Sequence, residues 1–349
     1  MMISLSKVVM NVSLNCIRPM LLLGHCCGFR EDHYEKTRIL ASLAVGGSFF
    51  GAGLFAMGFI GKARLVDREP GFRFAVGAQE PRQTAIVDGV ALAYTDSGGP
   101  GLTIICLHAI GHGARDFEDL TRRTASDYRI IALDFPGQGN SGNDLQPASG
   151  TRYARLLEGF MDNLRIHSAV LLGNSIGGAT AVRYAQMHPD RVQALVLCDS
   201  GGLQTSSTAG HIFIGAFVQF FAAGRRGASW YQWAFDKYYQ RVLIKEPAQR
   251  ERERIVRSAY ETAPILEQAW KSFGRSEENL NPILPEIKCP VLIAWAKDDF
   301  VVPLKGTQSA FQRFPNHRLE VFDGGHAAFL EDPDRFEQSL RRFLEESVR

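Results

Sequence analysis

Ser175 stands between two glycines in Gly173-Asn174-Ser175-Ile176-Gly177, directly after the apolar run 169–172 and directly before a helical pattern over 179–187. A strand that turns sharply into a helix forces the turn residue into a strained backbone and pushes its side chain outward. Glycines two positions to either side keep such a turn clear of the neighbouring strand and helix. At the helix N-terminus, unpaired N–H groups and the dipole favour developing negative charge. A serine so placed can attack a carbonyl, provided that a base and an acid exist elsewhere in the chain.

Both partners occur, in the order Ser, Asp, His. The strand-like run 290–295 leads to Ala296-Lys297-Asp298-Asp299, and the run 318–322 leads to Asp323-Gly324-Gly325-His326. Each candidate lies at the C-terminal end of a predicted strand, the edge where open α/β sheets place their ligands. Neutral His326 would take the Ser175 proton during attack and return it to the leaving group, while a carboxylate holds the imidazole in the right tautomer. Three aspartates compete for that last role: Asp299, Asp298, and Asp199 after the run 194–198. A lone Gly-x-Ser-x-Gly arises by chance in a chain with 34 glycines. The ordered set of strand–elbow–helix, strand–Asp and strand–His is far harder to obtain that way.

Over residues 82–349 the chain resembles the α/β-hydrolase superfamily. The resemblance rests on the elbow and on Leu107-His108-Ala109-Ile110-Gly111 after the run 102–106. It rests also on Asp134-Phe135-Pro136-Gly137-Gln138-Gly139-Asn140-Ser141 after the run 129–133. It implies an α/β fold: a mostly parallel eight-stranded sheet flanked by helices, with an inserted helical cap. It favours Asp299 as the acid, because Trp-Ala-Lys-Asp-Asp-Phe-Val-Val-Pro is similar to the family pattern of an acid followed by a short apolar step into proline. It also implies an oxyanion hole from the backbone N–H groups of Ile176 and Ile110. Ala109 departs from the usual glycine of that loop. His108-x-x-x-His112 falls in a turn rather than on a helix, so a metal site is not expected there, and His108 reads as a residue that holds the loop.

Serine at the elbow separates this chain from family members that attack with aspartate or cysteine. It points to acyl transfer to water, and the expectation is a serine hydrolase that cleaves a carboxylic ester through an acyl-enzyme. Such an enzyme needs a small apolar acyl or aryl substrate and water, and no cofactor or metal. An alternative is a carbon–carbon bond hydrolase acting on a ring-cleavage-type diketone acid. Gly173-Asn174-Ser175-Ile176-Gly177-Gly178-Ala179 and Ser200-Gly201-Gly202-Leu203 are similar to that group, whose substrate carboxylate would call for a cation in the pocket. A non-catalytic binding protein on the same fold is the reading of another class, and the presence of all three triad residues weighs against it.

The cap would occupy about residues 204–287. Its aromatics, among them Phe213, Trp230, Trp233 and Tyr238, read first as packing and in part as pocket lining. The alternating charges of Gln249-Arg250-Glu251-Arg252-Glu253-Arg254 read as a solvated helix face.

Composition shifts before residue 82. Residues 1–38 have no clear role, and residues 39–60 carry no charge and contain five glycines, including Gly47-x-x-x-Gly51. As a helix this stretch would be about 33 Å long, enough to cross a hydrocarbon core of roughly 30 Å. The reading is a single-pass membrane anchor in contact with lipid, followed by a linker over 61–81. Formal net charge is +2 over 349 residues with no basic stripe, which argues against nucleic acid as a partner. The six cysteines show neither metal-ligand spacing nor a disulfide framework.

Overall fold

The computed structural model describes residues 82–204 and 207–348. The domain readings for 1–38, 39–60 and 61–81 lie outside those residues, and so does the lipid contact expected of 39–60. Among the described residues no helix is long and apolar enough to cross a membrane.

Eight strands form one sheet: β1 (Gln83–Val87), β2 (Val90–Asp96), β3 (Thr103–Leu107), β4 (Arg129–Leu133), β5 (Ala169–Asn174), β6 (Val192–Cys198), β7 (Val291–Ala296) and β8 (His317–Phe322). Their order is β1-β2-β4-β3-β5-β6-β7-β8. β1 and β2 are antiparallel to each other, and β2 is antiparallel to β4; all other pairs are parallel. The β1–β2 hairpin turns on Asp88 and Gly89, both at positive φ, the geometry that Asp-Gly favours in a two-residue turn. β5 and β7 are buried at every position, which explains why they read in sequence as unbroken apolar runs.

Helices cover both faces: α1 (Glu118–Thr124), α2 (Gly150–Asn163), α3 (Ile176–Met187), α8 (Leu304–Phe311), α9 (Ala328–Glu331) and α10 (Pro333–Ser347). α2 starts where the Ser149 hydroxyl accepts from the Arg152 N–H at 3.0 Å, an N-cap. Between β6 and β7 the chain leaves the sheet to form α4 (Thr208–Arg225), α5 (Tyr231–Val242), α6 (Gln249–Arg257) and α7 (Ala259–Phe273). α4 lies along α7, with Phe217 stacked on Trp270 at a centroid distance of 4.3 Å.

Strand order reverses at β3, whose neighbours are β4 on one side and β5 on the other. An open α/β sheet forms its ligand crevice at the carboxyl ends of the strands flanking that reversal. The loops leaving β3 and β5 carry Ile110 and Ser175, respectively.

Candidate active site

β5 ends at Asn174 and α3 begins at Ile176, so Ser175 alone makes the turn, at φ 55° and ψ −117°. Such a conformation is costly for a residue with a Cβ and persists only where its surroundings over-determine it. Here the Ser175 N–H donates to the Cys198 carbonyl at 3.0 Å, and the Ser175 carbonyl accepts from Gly201 and Ala179 at 2.9 and 3.1 Å. A Cβ on Gly177 would collide with the main-chain oxygens of Leu107 and His108, so only glycine lets α3 approach the β3 loop this closely. Ser175 is 6% exposed and faces a cavity.

His326 follows β8 and opens on the same cavity. Its Nδ1 lies 2.7 Å from Asp299 Oδ2. Asp299 Oδ1 accepts from the N–H groups of Val301 and Val302 at 2.7 and 3.1 Å, which fixes the carboxylate against the ring. Asp298 is exposed, and Asp199 bonds elsewhere, with its Oδ1 accepting from the Ala296 N–H at 2.8 Å. Burial, and then the nearby Asp299 charge, push the Asp199 carboxyl well above the usual range.

Two further residues hold this arrangement and left no sequence signature. Asn174 Nδ2 donates to the carbonyls of Cys198 and His326, at 3.0 and 2.8 Å. Glu331 Oε2 accepts from Ile244 and Lys245, both at 2.9 Å, and its Oε1 accepts from Gly325 at 2.8 Å. One carboxylate thus joins the histidine loop to the end of α5. Burial raises the Glu331 pKa against those opposing backbone donors.

The β3 loop is held from behind. His108 is fully buried; its Nε2 accepts from the Phe135 N–H at 2.9 Å, which leaves Nδ1 to donate to the Ala109 carbonyl at 2.7 Å. The bond accepted at Nε2 requires the neutral ring, and burial lowers its pKa to about 4. Glycine is absent at 109, but the positive φ that the loop needs falls on Gly111, at 80°. Gly111 N–H donates to Gln138 Oε1 at 2.7 Å. Ile110 faces the cavity, and Ile176 opens α3, where its N–H has no acceptor within the helix.

The cavity measures about 720 Å³, within the range of small-molecule sites. Phe213, Tyr238, Tyr239, Trp270 and Phe300 give it apolar walls, so part of the aromatic set lines the pocket. Arg275 is the one arginine or lysine among the described residues that line it. His112 lines it too, and its Nδ1 sits 2.5 Å from Asp116 Oδ2. Asp116 Oδ1 accepts from Arg254 Nη2 at 2.7 Å. That pairing corrects the reading of 249–254 as a solvated face: Arg254 reaches inward because a fully buried carboxylate needs its charge. Among the described residues no cluster of three or more His, Cys, Asp or Glu side chains is arranged to hold a metal ion.

A sequence model of the alpha/beta hydrolase fold matches residues 103–333. The chain is 31% identical over 274 residues to a 2-hydroxy-6-oxononadienedioate/2-hydroxy-6-oxononatrienedioate hydrolase of Paraburkholderia phymatum, covering 72% of this chain and 90% of that protein. It is 31% identical over 261 residues to a 2-hydroxy-6-oxo-6-phenylhexa-2,4-dienoate hydrolase of Comamonas testosteroni, covering 72% and 91%. An enol-lactonase from Burkholderia xenovorans superposes with a TM-score of 0.64 at 22% identity, over 75% of this chain and 100% of that one, which speaks to the fold alone. The two relatives overturn the expectation of carboxylic ester cleavage. The compounds in their names carry a hydroxyl, a ketone and carboxylates but no ester, so hydrolysis has to divide a carbon–carbon bond. Nothing at the elbow distinguishes the two reactions, since both begin at a carbonyl carbon.

Proposed function

The chain belongs to the α/β-hydrolase family and is a hydrolase, and from that premise we propose that it cleaves a carbon–carbon bond beside the ketone of a 2-hydroxy-6-oxodienoate. The observation that carries this reading is the 31% identity to hydrolases of such acids over nine-tenths of their length. The site supports it: the cavity is walled by aromatics for the apolar end of the substrate, and Arg275 supplies positive charge for a carboxylate.

Ser175 Oγ attacks the C6 carbonyl as His326 takes its proton, with Asp299 stabilising the imidazolium. The N–H groups of Ile176 and Ile110 receive the oxyanion, each such donor being worth about 3 kcal/mol in the transition state. Breaking the C5–C6 bond leaves C6 on the serine as an ester, and water activated by His326 releases it as a carboxylic acid.

The test is to supply 2-hydroxy-6-oxo-6-phenylhexa-2,4-dienoate and follow loss of its absorbance together with release of benzoate. Benzoate should form with the wild-type chain and not with Ser175→Ala. A folded wild-type protein that yields no benzoate would remove the proposal.

The uncharged stretch 39–60 supports a separate reading, a single-pass anchor that holds the catalytic domain at a membrane. Alkaline extraction of membranes from cells expressing the full chain tests it: an anchored chain stays in the pellet, and a released one refutes it.

A further inference from the structure

Two histidine–carboxylate pairs face one cavity. In His326–Asp299 and in His112–Asp116 alike, Nδ1 is engaged by a buried carboxylate. The second pair is the more heavily built. Asp116 is also held by Arg254, whose Nε in turn donates to Glu251 at 2.6 Å, and the His112 ring rests against Tyr239 at a centroid distance of 5.8 Å. Burial acts to raise Asp116, but the hydrogen bond from His112 and the charge of Arg254 act to lower it, and the group is held below the usual carboxylate value. An ionised Asp116 fixes the proton on His112 Nδ1. Nε2 is left as a free lone pair on a ring that lines the cavity, with no hydrogen bond to it among the described residues. A carboxylate–arginine relay behind a pocket histidine fits proton transfer.

The proposed reaction has a use for a second base. In a 2-hydroxy-2,4-dienoate, C5 is doubly bonded and cannot leave as a stabilised carbanion. Moving the hydroxyl proton off O2 and placing a proton on C5 gives the 2-keto form. When the C5–C6 bond then breaks, its electron pair passes through C4 and C3 onto O2. Both events converge on one oxygen, five bonds away from the carbon that Ser175 attacks.

Resting on the carbon–carbon hydrolase reading, we infer that His112, backed by Asp116 and Arg254, is a second catalytic base that works at the C2 oxygen of the substrate. His112 Nε2 takes the 2-hydroxyl proton, and a solvent proton adds at C5. On cleavage the pair returns to O2, which recovers its proton from the His112 imidazolium. His326 and the new carboxylic acid return protons to solvent, so the whole consumes one water.

The experiment is exchange of the C5 hydrogen in deuterium oxide, followed by NMR with 2-hydroxy-6-oxo-6-phenylhexa-2,4-dienoate and Ser175→Ala, which cannot cleave. This protein should exchange C5 well above the protein-free rate, and adding His112→Gln should cut the enzymatic rate by about 100-fold or more. Asp116→Asn, which keeps the ring, should cut it by an intermediate factor and serves if His112→Gln does not fold. Exchange that survives both changes overturns the role of His112. So does a Ser175→Ala protein that does not exchange while the wild type cleaves, and in that case carbon–carbon hydrolysis stands. A wild type that does not cleave removes the function and this inference together.

Discussion

Asn174 and His326 are 152 residues apart in sequence, yet the Asn174 amide donates to the His326 carbonyl at 2.8 Å. The residue beside Ser175 therefore positions the loop that carries His326. Asn174→Ala should lower kcat by about 10- to 100-fold with little change in KM, at a stability cost of about 1–3 kcal/mol. Asn174→Asp should be worse, because it points a carboxylate at two carbonyl oxygens. Steady-state kinetics and thermal melting of the two variants check the ranking.

The three candidate acids should separate cleanly. Asp299→Asn should cost about 10⁴-fold in kcat, since the amide would favour the wrong tautomer of His326. Asp298→Asn, at an exposed position, should cost little. Asp199→Asn should stay within a few-fold, because burial and then the Asp299 charge already push that carboxyl toward its neutral form and the amide oxygen can still accept from Ala296. A large loss in Asp199→Asn would show that its charge matters.

Backbone strain at Ser175 should be measurable. Ser175→Gly relieves a φ of 55° and should raise stability by about 1 kcal/mol while abolishing turnover. Ser175→Ala keeps the Cβ and should abolish turnover without that gain. Equal melting temperatures for the two variants would mean that the turn stores no strain.

His108 should give the fold an acid sensitivity. Its folded pKa is about 4, below the unfolded value of about 6.5, so between those two values the unfolded chain binds the extra proton. Stability from this group is therefore present above pH 6.5 and is lost as pH falls toward 4, by about 3 kcal/mol in all. Denaturant titrations across that window should show a shallower slope for His108→Gln, whose amide oxygen can still accept from Phe135. Parallel slopes would place the acid sensitivity elsewhere.

By itself the sequence determined the parts whose physics is local. Central strands buried on both faces need unbroken apolar runs, a strained strand-to-helix turn needs glycines around its serine, and chemistry at a sheet edge puts Asp and His just past strand ends. Those constraints span a few residues each, so the elbow and His326 could be proposed from letters alone, whereas the family resemblance was needed to prefer Asp299 to Asp298 and Asp199. Ester cleavage was the wrong choice for a physical reason: the same elbow serves any carbonyl carbon, and the leaving group is recognised elsewhere in the pocket. Tertiary structure alone decided what depends on distant pairing and burial. Arg254 looks solvated in its charged helix, and only the fold brings it to Asp116, 138 residues away. Asp199 and Asp299 look alike as letters, and only the fold buries one against a backbone N–H and sets the other against an imidazole. The charge on a group follows from its desolvation and its partners, and both are properties of the packed chain.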